Sequence, residues 1–225
     1  MDSEKISIDL DSGEKISGIL SLAKEPDRGI GVVFAHGAAN DMNHALLAAG
    51  AEGLSARGYS CLRFNFPYRE KGKKSPDPEH RLIRAWCRAA DFIRSRTHCN
   101  QLIAAGKSLG ARMAAQASAQ GLLQPDGLIF LGYPLHAPGR KEQLRDAPLK
   151  EIQVPMLFVE GTRDPFCDLD LLRPVLKDMS SSHTLEIIQG GDHSFKLPKS
   201  DPRTGQDIHE SVILTCLTWI KKEFG

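Results

Sequence analysis

Short apolar runs recur along this chain, and most give way to a longer amphipathic or alanine-rich stretch. Ile6 to Leu10 and Lys15 to Leu22 alternate apolar and polar positions, which predicts two opening antiparallel strands joined through Asp11-Ser12-Gly13-Glu14. Further on the runs become continuous: Gly31 to Ala35, Cys61 to Phe66, Leu102 to Ala105, Leu128 to Gly132, Met156 to Val159 and Thr184 to Ile188. A strand apolar on both sides is buried on both, as happens in parallel sheets covered by helices. Helical stretches are predicted over His44 to Arg57, Glu79 to Ser95, Ala111 to Ala119, Asp168 to Lys177 and Asp207 to Lys222. The first ends before Gly58, a suitable C-terminal glycine.

This alternation predicts one α/β domain over residues 1–225, with a mostly parallel sheet of about eight strands, the second antiparallel, and helices on both faces. At 225 residues it can bury about 70% of its unfolded surface. Between the strands at Leu128 and Met156 only Tyr133 to Val154 intervenes, enough for a loop and a short helix. An open site without a full covering domain is therefore expected, suited to small or exposed ligands.

Charge and cysteines narrow the function classes. Lysine plus arginine number 29 against 28 acidic residues, a formal charge of +1, so nucleic acid and anionic membrane are not expected partners. No apolar run approaches the roughly 20 residues of a transmembrane helix. Met1-Asp2-Ser3-Glu4-Lys5 leads at once into strand-like alternation, so no signal peptide is expected. Cys61, Cys87, Cys99, Cys167 and Cys216 are odd in number and scattered, which predicts free thiols and a cytoplasmic location. Cys167 lies close to Asp164, with only Arg163 nearby to favour a thiolate, and reads as an unreactive thiol.

Gly106-Lys107-Ser108-Leu109-Gly110 is a G-x-S-x-G element placed directly after an apolar run and before a helix-forming stretch. Strand, tight turn and helix form the context of a nucleophile elbow, with Ser108 lifted above the sheet at a helix N-terminus. Alone the pentad arises by chance in about one chain in ten to fifteen. The order of the other candidates strengthens it. Asp164 follows Met156 to Val159, and His193 follows Thr184 to Ile188, so nucleophile, acid and base each lie just past a strand. Ligand chemistry in open parallel sheets belongs at those carboxyl ends. Asp168 is the fallback acid and Asp192 a weaker one. A phosphate loop would need glycine at position 101, which holds Gln101.

The strand at Gly31 to Ala35 ends in His36-Gly37-Ala38-Ala39, which resembles the H-G-x-x turn whose backbone N–H groups line an oxyanion hole. The expected donors are the N–H groups of Ala38 and Leu109. His36 reads as an orienter of that turn and, with Arg69 and His136, as a candidate substrate contact. Lys107, Arg163 and Lys196 count among the basic groups expected to fringe the site, with the Lys107 side chain diverging from Ser108. No metal-ligand spacing is present, so metal-free and cofactor-free chemistry is expected.

Taken together, several motifs resemble one branch of the α/β-hydrolase superfamily. It is the branch of testis-expressed protein 30 and the third subunit of the NSL chromatin complex, with bacterial relatives described as dienelactone-hydrolase-like. The carriers are Phe34 to Ala38, Leu62-Arg63-Phe64-Asn65-Phe66-Pro67-Tyr68, Ala105 to Arg112, Leu131 to His136, Gly161 to Phe166 and Gly190 to Lys196. The resemblance implies an α/β-hydrolase fold, a Ser108–Asp164–His193 triad and an acyl hydrolase acting on a small-molecule ester. Dienelactone hydrolases proper use cysteine where this chain has Ser108, so their substrate is not implied. Alternatives are a thioesterase or peptidase with the same triad, and an interaction module that kept the fold without turnover.

Overall fold

The computed structural model describes residues 3–11 and 13–225. Of the segments read above, Met1, Asp2 and Ser12 lie outside the described residues. Two antiparallel strands, β1 (Ser3–Asp9) and β2 (Lys15–Ser21), open the chain, in register from Ser3 opposite Ser21 to Asp9 opposite Lys15. β3 (Ile30–Ala35), β4 (Ser60–Phe64), β5 (Gln101–Lys107), β6 (Gly127–Leu131), β7 (Met156–Gly161) and β8 (His183–Ile188) complete one sheet in the order β1-β2-β4-β3-β5-β6-β7-β8. The β2–β4 pair is antiparallel, and every ladder from β4 through β8 is parallel. Carboxyl ends of β3, β4, β5, β6, β7 and β8 thus share one edge, where the candidate residues converge.

The helices are α1 (Ala45–Ser55), α2 (Pro67–Glu70), α3 (Glu79–Thr97), α4 (Leu109–Ala119), α5 (Ala147–Glu151), α6 (Leu169–Lys177) and α7 (Gly205–Phe224). The period-two alternation of strands divides the core in two. Val33, Ala35, Leu102, Ala104, Leu128, Phe130, Met156 and Phe158 face the layer that holds α3 and α4. Val32, Phe34, Ile103, Ala105, Ile129, Leu131, Leu157 and Val159 face α1 and α7. Both faces of the sheet are covered, which is why β3 and β6 read as unbroken apolar runs.

Local differences from the sequence reading have identifiable causes. β4 stops at Phe64, because Asn65 and Phe66 turn the chain into α2, a single turn begun by Pro67 and too short to show a helical period. Helix α7 starts at Gly205, two residues before the apolar pattern begins. Thr204 caps it reciprocally: its Oγ1 accepts from Asp207 N, and the Asp207 carboxylate accepts from Thr204 N. Between β6 and β7 the only helix is α5, and no cap domain rises over the sheet edge among the described residues.

Candidate active site

The turn between β5 and α4 is tight enough to demand its two glycines. A Cβ on Gly106 would stand 2.3 Å from Ala111 N, and one on Gly110 would stand 2.4 Å from Ala35 O. Between them Ser108 takes φ 51° and ψ −109°, a conformation that L-residues rarely adopt and that surrounding structure must impose. Its N–H donates to Leu131 O at 3.2 Å, and its side chain caps no amide of α4. The hydroxyl is therefore free for another partner.

That partner is His193. Ser108 Oγ lies 2.7 Å from His193 Nε2, and His193 Nδ1 lies 2.6 Å from Asp164 Oδ2. A carboxylate can only accept, so Nδ1 carries the proton and Nε2 is left to accept from the serine. The Asp164 side chain is fully buried, and its Oδ1 accepts from Phe166 N at 2.7 Å, which fixes the carboxylate plane. The Phe166 ring packs against the imidazole at 4.4 Å between centroids. Hence three side chains on loops after β5, β7 and β8 form one hydrogen-bonded chain.

The fallback acids serve elsewhere. Asp168 caps α6 through Asp170 N and pairs with Lys141. Asp192 Oδ1 accepts from Ser194 N and Lys196 N, shaping the loop that carries His193.

The turn after β3 is held from behind by the motif after β4. His36 Nδ1 donates to Gly37 O at 2.8 Å, and His36 Nε2 accepts from Phe66 N at 3.1 Å. Tyr68 OH donates to Ala38 O at 2.9 Å. Arg63 Nη1 donates to Met42 O at 2.7 Å, while Asn65 Oδ1 accepts from Met42 N at 2.8 Å. In a trans peptide the carbonyl and the following N–H point opposite ways. Anchoring Gly37 O toward His36 therefore turns the Ala38 N–H outward. Gly37 stands beside Ser108, since a Cβ there would lie 3.5 Å from Ser108 Cβ. Among the described residues neither Ala38 N nor Leu109 N donates to a protein acceptor.

Two of the expected substrate contacts need correction. His36 is fully buried with both ring nitrogens bonded to backbone, so it orients the turn and offers nothing to a substrate. His136 is likewise buried; its Nδ1 meets Ala137 O and its Nε2 accepts from Asp168 N, while its backbone N–H donates to Phe166 O. It braces the acid loop. Arg69 lies half-buried, with Nη2 3.9 Å from Asp41 Oδ2 and Nη1 donating to Lys73 O. Arg163 donates to Gly190 O. Burial and the charges of Glu160 and Asp164 push the Cys167 thiol up, so it stays protonated.

Sequence reasoning missed the contacts that four residues make at the site. Tyr68 stood inside a quoted motif, but its hydroxyl contact depends on the α2 turn. Phe166 likewise closed a quoted motif, but nothing in the sequence placed its ring on the imidazole. Glu160 is fully buried at the end of β7 and accepts from Tyr133 N at 2.6 Å. Burial and the neighbouring Asp164 charge push its carboxyl well above the usual range. Lys107 turns away from Ser108, as expected, yet donates from Nζ to His193 O at 2.8 Å.

These contacts carry two measurable consequences. Tyr68→Phe leaves Ala38 O without its donor, and is expected to cost about 1–2 kcal/mol of stability. With the turn loosened, kcat should fall about tenfold at little-changed KM; native kcat would show that the hydroxyl does not set the turn.

The second concerns acid. Burial pushes the His36 imidazole down from 6.5 to about 4. The unfolded chain then takes the proton first, so this contribution is whole above pH 6.5 and is lost as pH falls toward 4. The loss amounts to about 3 kcal/mol in all. His44, pushed down to about 4 by burial, adds with the same sign. Urea midpoints should therefore drop between pH 7 and pH 5, and a flat profile would contradict the assignment.

A family model for the alpha/beta hydrolase domain matches residues 28–221. Among solved structures, a serine hydrolase without a lid from Xanthomonas campestris superimposes with a TM-score of 0.74 at 21% identity, over 97% of this chain and 95% of that one. A dienelactone hydrolase from Anabaena variabilis gives 0.73 at 19% identity, over 99% and 98%. The esterase Est1E from Butyrivibrio proteoclasticus, with ferulic acid bound, gives 0.76 at 17% identity, over 96% and 99%. Likeness at such identities speaks for the fold. Because the family model spans most of its length, the chain belongs to the alpha/beta hydrolase domain family.

Proposed function

We propose that the chain is a serine hydrolase that cleaves an ester or related acyl bond through an acyl-enzyme. The observation that carries this reading is the continuous path Ser108 Oγ, His193 Nε2, His193 Nδ1, Asp164 Oδ2, with links of 2.7 and 2.6 Å. In the first half-reaction Ser108 Oγ bonds to the acyl carbon as its proton passes to His193 Nε2. The imidazolium then gives that proton to the leaving oxygen as the carbon–oxygen bond breaks. Water repeats the sequence on the acyl-enzyme, releasing the acid and restoring the serine. Asp164 keeps the imidazole tautomer and stabilises its charged form. The Ala38 and Leu109 N–H groups are assigned to the oxyanion.

The substrate class follows from the open edge: short or exposed acyl groups, since only α5 stands between β6 and β7. Within the family we assign the chain to the branch of testis-expressed protein 30, on the motifs after β3, β4 and β5. A cytoplasmic location is part of the same reading, resting on five scattered cysteines. A fluorophosphonate should label one residue, Ser108, by mass mapping, and p-nitrophenyl acetate should turn over faster than the laurate ester. A native chain that takes no label and cleaves neither ester would favour the silent interaction module.

A further inference from the structure

The base has to travel far to meet its nucleophile. Ser108 follows β5, His193 follows β8, and β6 and β7 lie between them in the sheet. The loop after β8 is tied mainly to the neighbouring β7 turn: Arg163 N donates to Gly191 O at 2.8 Å, Thr162 N to Ile188 O, and Gly190 N to Thr162 Oγ1. Apart from the Asp164 contact with the imidazole, these bonds end two residues short of His193. Across to β5, among the described residues, the side-chain bonds are the Ser108–His193 contact and one other, from Lys107 Nζ to His193 O at 2.8 Å.

Lys107 is an unusual residue for the end of a central strand. It is 1% exposed, on the face of the sheet shared with Ile103 and Ala105. Removing an ammonium from water is costly, and an apolar side chain of equal length would not incur that cost. The chain sets three features around the base loop against that cost. One is the His193 carbonyl. Another is the face of Phe195, whose ring centroid lies 5.7 Å from Nζ. Phe195 is itself held at φ 61°, a strained value for a bulky residue, with its N–H on Asp192 O and its ring buried. The third is charge, from Asp192 on that loop and Asp164 on the neighbouring one. Gly132 leaves room for the approach, since a Cβ there would come within 3.5 Å of the His193 ring.

We propose that Lys107 is a positioning residue for the general base: its ammonium ties the His193 main chain to the nucleophile strand and so sets the Ser108–His193 distance. This rests on the reading of Ser108, His193 and Asp164 as a working triad. Lys107 touches no substrate; its effect passes through the imbedded carbonyl of the residue that does the proton transfer. Slackening that tie lets the imidazole drift along the loop, and displacements near 1 Å in such sites cost on the order of a hundred-fold in rate.

The experiment compares native protein with Lys107→Met, Lys107→Gln and Lys107→Arg. Three readouts are taken on each folded chain: the rate of fluorophosphonate acylation, kcat and KM on p-nitrophenyl acetate, and the low-field proton resonance of His193 Nδ1–H. Lys107→Met keeps the length and loses the donor, and is expected to lower kcat and acylation on the order of a hundred-fold while KM changes little. Its low-field resonance should be lost or broadened. Lys107→Gln and Lys107→Arg retain N–H donors, and whichever keeps the resonance should keep kcat. A folded Lys107→Met with native kcat overturns the proposal. So does any folded variant in which kcat and the resonance move independently, and the Gln and Arg chains apply that criterion if Lys107→Met does not fold. If native protein takes no fluorophosphonate, the hydrolase reading falls on its own account. The resonance alone then decides: retained in Lys107→Met it overturns the tie, lost it supports it.

Discussion

Ser108→Ala is expected to abolish fluorophosphonate labelling and to lower kcat on the order of a million-fold, with folding preserved. The size follows from the way triad members act as a unit, so that removing the nucleophile forfeits the base and the acid as well. Two observations separate this from a folding defect. The Ser108 side chain caps no amide of α4, so truncating it to a methyl group deletes no helix cap. The φ of 51° strains alanine as it strains serine, so the backbone cost is common to both chains. Thermal midpoints of the two proteins should therefore agree within a few degrees while their ester cleavage differs by orders of magnitude. Equal labelling of both chains would remove Ser108 from the chemistry.

Asp164→Asn is the second large effect, on the order of ten-thousand-fold in kcat. The direction comes from hydrogen-bond bookkeeping at two atoms. Oδ1 accepts from Phe166 N at 2.7 Å, so an asparagine keeping that bond aims its NH2 group at His193 Nδ1. Nδ1 would then have to accept, the imidazole proton would move to Nε2, and Ser108 would face a donor where it needs an acceptor. Geometry survives while the tautomer is inverted, and KM should change little. A variant retaining near-native kcat would mean that Asp164 does not set the tautomer.

The sequence made strands and their order legible for a plain reason: in a sheet covered on both faces, each strand is a continuous apolar run, as in β3 and β6. The convergence of Ser108, Asp164 and His193 could be anticipated because each sits just past such a run, where parallel strands share an edge. The supporting residues were less legible. Whether a histidine faces water or backbone depends on contacts distant in sequence, and His36 and His136 proved to be enclosed by Phe66, Asp168 and nearby carbonyls. Lys107 could be placed off the nucleophile from strand alternation, but its destination 86 residues away could not. α2 was hidden because one turn has no period to detect, and the start of α7 was marked only by Thr204 and Asp207.

The placement of β8 at the sheet's far edge has a consequence for biosynthesis. A ribosome delivers Ser108 long before it delivers the imidazole, and the base loop docks only after the final strand has been laid beside β7. On the proposed mechanism, the growing polypeptide until then holds a hydroxyl without the base assigned to take its proton. Acquisition of reactivity toward a phosphonylating probe therefore times the last docking event, and a nascent chain stalled before residue 193 should remain inert however well its earlier layers have collapsed.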